Sequence, residues 1–325
     1  MDKEIWLRPK RVSSIGGEAL MEGVMMRGTR TIASTVRKAN GELVTTVRPY
    51  VPVTKRYKIL GLPFIRGGVS MIESMVVGIG ALMESAEYIE FEEAESKLDK
   101  WIEEKFGDKS MTIIKIISVL FALVIGIGLF MLLPNLVADL FPFDKDTGSG
   151  AFLANIIEGA IRIGIFLLYV WLVSKSRDVR RVFQYHGAEH KTIYAYENME
   201  ELTVENVRKH TRLHPRCGTT FIFVVVIISI LIFAMTGWHS KLINMVIRLA
   251  LLPVIAGVSY ELFKLAARSN SKLVKLISVP GLLLQKITTQ EPDDSMLEVA
   301  IVSLKAVLAS EEGEKEENDR LQAAQ

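Results

Sequence analysis

The sequence predicts a membrane α-helical protein: four transmembrane helices, a mixed α+β cytoplasmic N-terminal unit, and a helical cytoplasmic loop between the second and third spans. Three observations carry this. Half of the 325 residues are hydrophobic while 23% are charged, and mean hydropathy is +0.29, as expected when membrane segments alternate with charged ones. Four apolar stretches reach the roughly 20 residues that cross a bilayer. Basic residues, finally, are shared unequally among the connecting segments.

Residues 1–111 read as a cytoplasmic unit. The first eight are charged and lack an apolar core, so no signal peptide is expected. Ile32–Val47 reads as a β-hairpin, with Asn40-Gly41 supplying the positive φ angles of its turn. Val69–Ala86 is apolar and rich in small residues. It suits either a helix in the membrane interface or a buried soluble helix. Glu90–Lys105 reads as an acidic amphipathic helix with a solvated charged face.

The spans are expected at Thr112–Leu136, Phe152–Val173, Thr219–Thr236 and Val246–Leu265, the last interrupted by Arg248, Pro253 and Glu261. Residues 112–174 thus hold the first pair and 219–265 the second. The loop over residues 175–218 carries Lys175, Arg177, Arg180, Arg181, Lys191, Arg208, Lys209, Arg212 and Arg216, whereas the two short loops inside the pairs carry only Lys145 and Lys241. The positive-inside bias puts that loop and both termini in the cytoplasm of a multi-pass cell-membrane protein. In residues 266–310, Asp294 or Ser295 is expected to cap a helix within Ile287–Leu308. The charged tail, 311–325, is expected to be disordered.

The loop holds the chain's most informative stretch, Tyr185-His186-Gly187-Ala188-Glu189-His190-Lys191. It contains H-x-x-E-H, the inverted zinc-peptidase motif. His186 and His190 at i, i+4 share one helix face, so both imidazoles can reach one ion. Of the five histidines, two more, His210 and His214, follow in the same loop, with the single cysteine, Cys217, just beyond. A lone cysteine excludes an intrachain disulfide. Three arrangements stay open. In an open site, water occupies one metal position and Glu189 is the base. In a closed site, His186, His190, His214 and Cys217 complete a tetrahedral zinc and leave no room for water. In the third there is no metal, and the histidines hydrogen-bond or face lipid phosphates. Cys217 could also be an inert buried thiol or a nucleophile beside His214, and His239 reads as unrelated surface.

Two further constellations stand out. Glu158 and Arg162, one turn apart inside the second span, read as a structural ion pair or as a polar pocket for substrate or ion. Glu261 and Lys264 near the end of the fourth span either snorkel or approach the histidine cluster. Gly16 to Gly28 is glycine-rich and charged but lacks the G-K-[ST] ending of a phosphate loop. It reads as a turn-rich element.

These blocks together resemble the YqhQ family of bacterial membrane proteins, often described as predicted metal-dependent enzymes. The resemblance rests on Gly16-Gly17 with Met21 to Gly28, on Tyr185 to Lys191, on His214-Pro215-Arg216-Cys217-Gly218-Thr219 and on Glu291 to Ser295, in the family's order. Glu18, Gln290 and Met296 depart from the pattern, which carries glutamine, arginine and a polar residue there. The resemblance implies an integral membrane protein and supplies no reaction. Its genes' association with translation factors points toward protein synthesis or membrane insertion.

The expectation is a cytoplasm-facing divalent metal site, zinc first, with His186, His190, His214 and Cys217 as ligands and Glu189 as the catalytic base of a hydrolase. The alternative is a scaffold or accessory factor in membrane-protein biogenesis with a structural zinc. Expected partners are the lipid bilayer, the biogenesis or translation machinery and a second copy in a homo-oligomer. The net charge of +2 indicates no specific nucleic-acid binding.

Overall fold

Strands buried on one face alternate apolar and polar residues; strands buried on both do not. Val24, Met25 and Met26 are consecutive, and all three are buried. In the computed structural model, which describes residue 5 and residues 9–89, 110–268 and 271–323, they lie in a four-stranded antiparallel meander. Its strands are β1 Gly16–Leu20, β2 Gly23–Arg27, β3 Thr31–Arg37 and β4 Leu43–Pro49, in that order. The expected hairpin is the β3–β4 pair, with Ala33 opposite Val47 and Arg37 opposite Leu43. Its loop is longer than a two-residue turn. Lys38 N–H bonds Glu42 O, and only Gly41 takes a positive φ, 85°. The glycine-rich segment expected to be turn is mostly strand: it forms the β1–β2 hairpin, with Glu22 at its tip in left-handed conformation, φ 49°.

The rest is mostly helical. The long elements are α1 Ile65–Glu87, α2 Ser110–Ile127, α3 Leu133–Ala138, α4 Gly148–Val173, α5 Arg177–Glu197, α6 Val204–Arg208, α7 Gly218–Ala234, α8 Lys241–Arg268, α9 Lys272–Thr288 and α10 Asp294–Ala323. The described residues fall into two compact units. One combines Met1–Glu90, Val170–Ile228 and Leu252–Gln325; the other combines Phe91–Tyr169 and Ser229–Leu251.

In the first unit, each sheet face has its own core. Val24, Met26 and Ala33 pack with Tyr185, Ala188 and Ile193 of α5, Val207 of α6, and Leu297, Ala300 and Leu304 of α10. On the other face Leu20, Met25, Ile32 and Val36 pack with Ala81 of α1. Asp293, not Asp294 or Ser295, caps α10: its Oδ1 accepts the Met296 N–H at 3.0 Å and the Ser295 hydroxyl at 2.6 Å. The tail expected to be disordered is helical as far as Ala323. Glu311, where disorder was expected to begin, anchors it by accepting the Thr29 hydroxyl and the Arg30 N–H, each at 3.0 Å.

In the second unit, α2 passes through a π-helical turn, Gly128–Leu132, into α3. A π turn breaks the regular ladder, and here the Phe130 carbonyl accepts from Arg162 Nε at 2.9 Å. Arg162 also pairs with Glu158 at 2.5 Å. The ion pair is therefore present, but it is not binary. Arg248 of α8, read from sequence only as an interruption, makes a second ion pair to Glu158, and Asn135 donates to it at 3.2 Å. Both guanidiniums lie over the Phe233 ring, 5.5 and 5.6 Å from its centroid.

Among the described residues, four helical segments are long and apolar enough to cross a membrane: Ile65–Glu87, Ile116–Ala138, Gly148–Val173 and Leu242–Leu265. This differs from the expected set of four. The third expected span is α7, an apolar helix of only 17 residues. It ends short of Thr236 because its last amides turn back to Ile232 and Phe233 before Gly237, φ 77°. The additional segment is α1. The stretch expected as a helix over Glu90–Lys105 lies outside the described residues.

Leu297 is fully buried at the junction of sheet, α5 and α10. Leu297→Ala is expected to lower unfolding free energy by about 2–5 kcal/mol, and the exposed Lys305→Ala by no more than about 0.5 kcal/mol. Thermal melting in detergent compares the two.

Candidate metal centre

Helix α5 is amphipathic in an unusual sense: its second half is buried nearly all round, charged residues included. Glu189, His190, Lys191 and Glu197 are each less than 10% exposed. Unpaired buried charge is costly, and the surroundings answer each group. Lys191 pairs with Glu291 and donates to the Arg208 carbonyl at 3.1 Å. Gly187 lets the chain at Gln290 lie directly on the helix, since a Cβ there would strike the Gln290 carbonyl. Gln290 N–H then bonds Phe183 O at 2.8 Å.

That contact brings the end of α9 over the histidines. His186 Nδ1 lies 2.9 Å from the Thr288 carbonyl, and His190 Nδ1 lies 2.6 Å from the Arg212 carbonyl. A carbonyl can only accept, so each Nδ1 carries the ring proton. In its neutral form, each imidazole so held presents the lone pair of Nε2. His186 Nε2 is 3.2 Å from Cys217 Sγ. The donor atoms of His186, His190 and Cys217 all fall within 4.8 Å of one another. A hydrogen bond on the far ring nitrogen is the usual support of a metal-binding histidine. Cys217 precedes the first turn of α7, where its sulfur accepts the Thr219 N–H at 3.5 Å and lies 3.3 Å from the Thr219 hydroxyl. The chemistry and convergence of these three donors suit a metal ion.

His214 stands beside this group and outside it. Its Nδ1 accepts the Arg216 N–H at 3.4 Å, which places the ring proton on Nε2, 3.7 Å from Glu197 Oε2. Its ring centroid is 5.6 Å from that of His190. Burial holds it neutral, with its pKa pushed down to about 4. Burial works to raise Glu197, but the hydrogen bond to His214 and the Arg216 charge outweigh it and hold the carboxyl below its usual range. His210 turns away to Glu200, 3.1 Å from its Oε2. His239 lies in the other unit, where its N–H bonds Asn244 at 3.1 Å. Glu261 does not approach the cluster, because Arg66 holds it through bonds of 2.7 and 2.6 Å.

Glu189 faces β1. Its carboxyl is pushed up to about 7 by burial, against the lowering effects of His186 and of a hydrogen bond from Gly17 N–H. Its Oε2 is 3.5 Å from His190 Nε2. A carboxyl poised near neutrality can take up or release a proton at working pH. Glu18, next along β1, is likewise raised by burial, with Arg27 opposing. A cavity of about 820 Å³ opens over this cluster, bordered by Gly16, Gly17, Glu18, His186, Glu189 and Cys217.

Sequence reasoning found the three converging donors and Glu189. It missed Glu197, although residues 186, 190 and 197 recur at helical spacing on one face. It also missed Gly17 as the neighbour of Glu189, because that contact joins residues 172 positions apart and has no local signature.

A polar, histidine-bearing domain combined with helices of membrane-spanning length defines a membrane-associated protein with a candidate metal centre. Residues 62–310 match the family described as a protein of unknown function, DUF1385, and the chain belongs to that family. It is similar to the "Uncharacterized protein YqhQ" of Bacillus subtilis (strain 168), 33% identical over 303 residues, 91% of this chain and 92% of that protein. No solved structure matches. The resemblance in the four sequence blocks is thereby borne out.

A Cβ on Gly17 would come within 2.5 Å of Glu189 Cγ, whereas one on Gly16 meets nothing within 4 Å. Gly17→Ala is expected to cost about 1–3 kcal/mol through overpacking and Gly16→Ala to be near neutral. Paired melting curves decide this.

Proposed function

We propose that this chain is a multi-pass cell-membrane protein whose cytoplasmic domain binds a divalent metal, zinc first, and catalyses hydrolysis. The observation that carries the reading is the pinning of both histidine Nδ1 protons by backbone carbonyls. It leaves two Nε2 lone pairs converging with one sulfur. His186, His190 and Cys217 would hold the metal. Three protein ligands and a cavity alongside are the arrangement of catalytic zinc, whereas structural zinc is closed by four. A zinc ion held there supplies a Lewis acid and lowers the pKa of water to about 7.

The chain's own residues supply the remainder. Glu189, buried and near neutral in pKa, takes the proton from the attacking water and returns it to the leaving group. Gly17 N–H holds that carboxyl in place, and the Thr288 and Arg212 carbonyls fix the imidazoles. The basic residues flanking α5 support a cytoplasmic placement with both termini on the same side.

The scaffold reading retains one supporting observation. The buried His214 Nε2 has a long contact, 3.7 Å to Glu197 Oε2, and no closer hydrogen bond, so rotation of this ring toward His190 would close a four-ligand shell. In that case the domain would hold a partner in membrane-protein biogenesis, or a second copy of the chain, and not turn over a substrate.

Elemental analysis of detergent-purified protein separates these. About one zinc per chain is expected, lost in His186→Ala, His190→Ala and Cys217→Ser and retained in His214→Ala. Loss of zinc in His214→Ala would favour the scaffold. Glu189→Gln is expected to keep the metal and slow hydrolysis of a chromogenic ester by about 10²–10⁴-fold. No zinc in the wild-type protein would sink both readings.

A further inference from the structure

Two features of the first unit point to what enters the cavity. The first is topological. The sheet, α5 and α10 share one core, so these segments lie on one side of any bilayer that the chain crosses. A chain that returns to its starting side has crossed an even number of times. Among the described residues, three segments of membrane length stand between β4 and α5: α1, the run ending in α3, and α4. The last two are the more apolar, and α1 is the odd one out. Its exposed residues Ile65, Ile72, Met75, Val76 and Ile79 form one apolar stripe, while Gly67, Gly78, Ala81 and Ser85 are buried on the other side. Gly67 lies against Tyr260 of α8 and Gly78 against Glu18 of β1. An apolar stripe on a helix docked by its small residues is the form of a helix lying in the membrane interface.

The second feature is the cavity. Its floor holds the metal cluster. Its wall includes Met71 and Met75 of α1, Phe221 and Ile222 of α7, and Tyr260 and Phe263 of α8. Met75 and Ile222 are 56% and 45% exposed, so the rim is apolar. Farther along the same cavity stand Arg27, whose Nη1 donates to Ser74 at 3.0 Å, and the exposed Lys55. About 820 Å³ lies within the range of small-ligand pockets, about 300–1,000 Å³. A peptide backbone needs hydrogen-bond partners that Met, Phe and Ile do not offer, and an acyl chain needs none.

We propose that this cavity binds a single phosphate-bearing membrane lipid. The lipid enters from the bilayer past Met75 and Ile222, its head along the polar wall of Arg27, Lys55 and the metal cluster, its acyl chain against the apolar wall. This names the substrate class for the proposed hydrolase. The binding itself depends only on the cavity, so it stands or falls apart from the metal.

Native mass spectrometry of the full chain, delipidated in detergent and titrated with phosphatidylglycerol, tests it, with zinc measured on the same samples. Saturable uptake of one lipid per chain is expected. Ser70→Trp, which fills the cavity from α1, should weaken uptake at least about tenfold. Ile79→Trp, on the exposed stripe and outside the cavity lining, should leave it unchanged, and zinc content should be the same in all three. If Ser70→Trp fails to melt cooperatively, Ile222→Trp narrows the mouth of the cavity from α7 and is read in the same way. No saturable uptake by wild type, undiminished uptake by the plugged variant, or a retained apolar peptide in place of lipid overturns the proposal. Lipid uptake without zinc would leave it standing and remove the hydrolase reading alone.

Discussion

Burial of α5 imposes the constraint on which the first unit depends. A helix carrying Glu189, His190, Lys191 and Glu197 into the interior is stable only if each polar group finds a partner. The partners come from four separate stretches of chain: Ser13 and Gly17 before the sheet and within β1, Arg208 and Arg212 after α6, Arg216 before α7, and Thr288 to Glu291 after α9. Each partner is held by its own packing. The carbonyls that aim the imidazoles are therefore part of the same network that makes the helix tolerable inside. Stability and the candidate metal centre are one structure seen from two sides. This explains why Gly187 sits mid-helix despite glycine's poor helix propensity: a side chain there would push away the segment that satisfies His186 and Lys191.

The sequence revealed the parts of this arrangement that are local. His186 and His190 declare themselves by spacing, Cys217 by being alone, and Asn40-Gly41 by the turn it permits. Apolar length betrayed the helices that reappear within Ser110–Ala138, Gly148–Val173 and Lys241–Arg268. The remainder was hidden for physical reasons. β2 was missed because a strand buried on both faces loses its alternation, and β1 because its glycines look like punctuation. Arg248 seemed a flaw in a span because its partner, Glu158, lies 90 residues away. The cap of α10 was misplaced by one residue, where two aspartates and a serine compete. His214 was taken as a ligand from its proximity in sequence. A two-residue turn of backbone aims its Nδ1 at Arg216, and no spacing rule conveys that.

Chemically, the contrast between His214 and its neighbours is instructive. Three imidazoles lie close together, yet the backbone treats them differently. Two receive a carbonyl on Nδ1 and expose a lone pair. The third receives an amide and exposes a proton. Tautomer is thus assigned by main-chain geometry, which side-chain substitution elsewhere does not readily alter. The third ring becomes a neutral wall residue facing Glu197, outside the three converging donors.

The discontinuity of the first unit has a consequence in time. β1 and β2 leave the ribosome early, α5 and Cys217 midway, and Thr288 through Leu304 near the end of synthesis. The segments between them include those of membrane-spanning length. Glu189 and its neighbours therefore stay without their full set of partners until almost the whole chain has been made and its apolar helices placed. Such long-range closure folds slowly and leaves incomplete intermediates exposed. It also ties assembly of the metal centre to completion of the chain: a prematurely terminated product lacking α9 and α10 would present the histidines without the Thr288 carbonyl that orients one of them. Chain connectivity here acts as a check on order of assembly, independent of any dedicated factor.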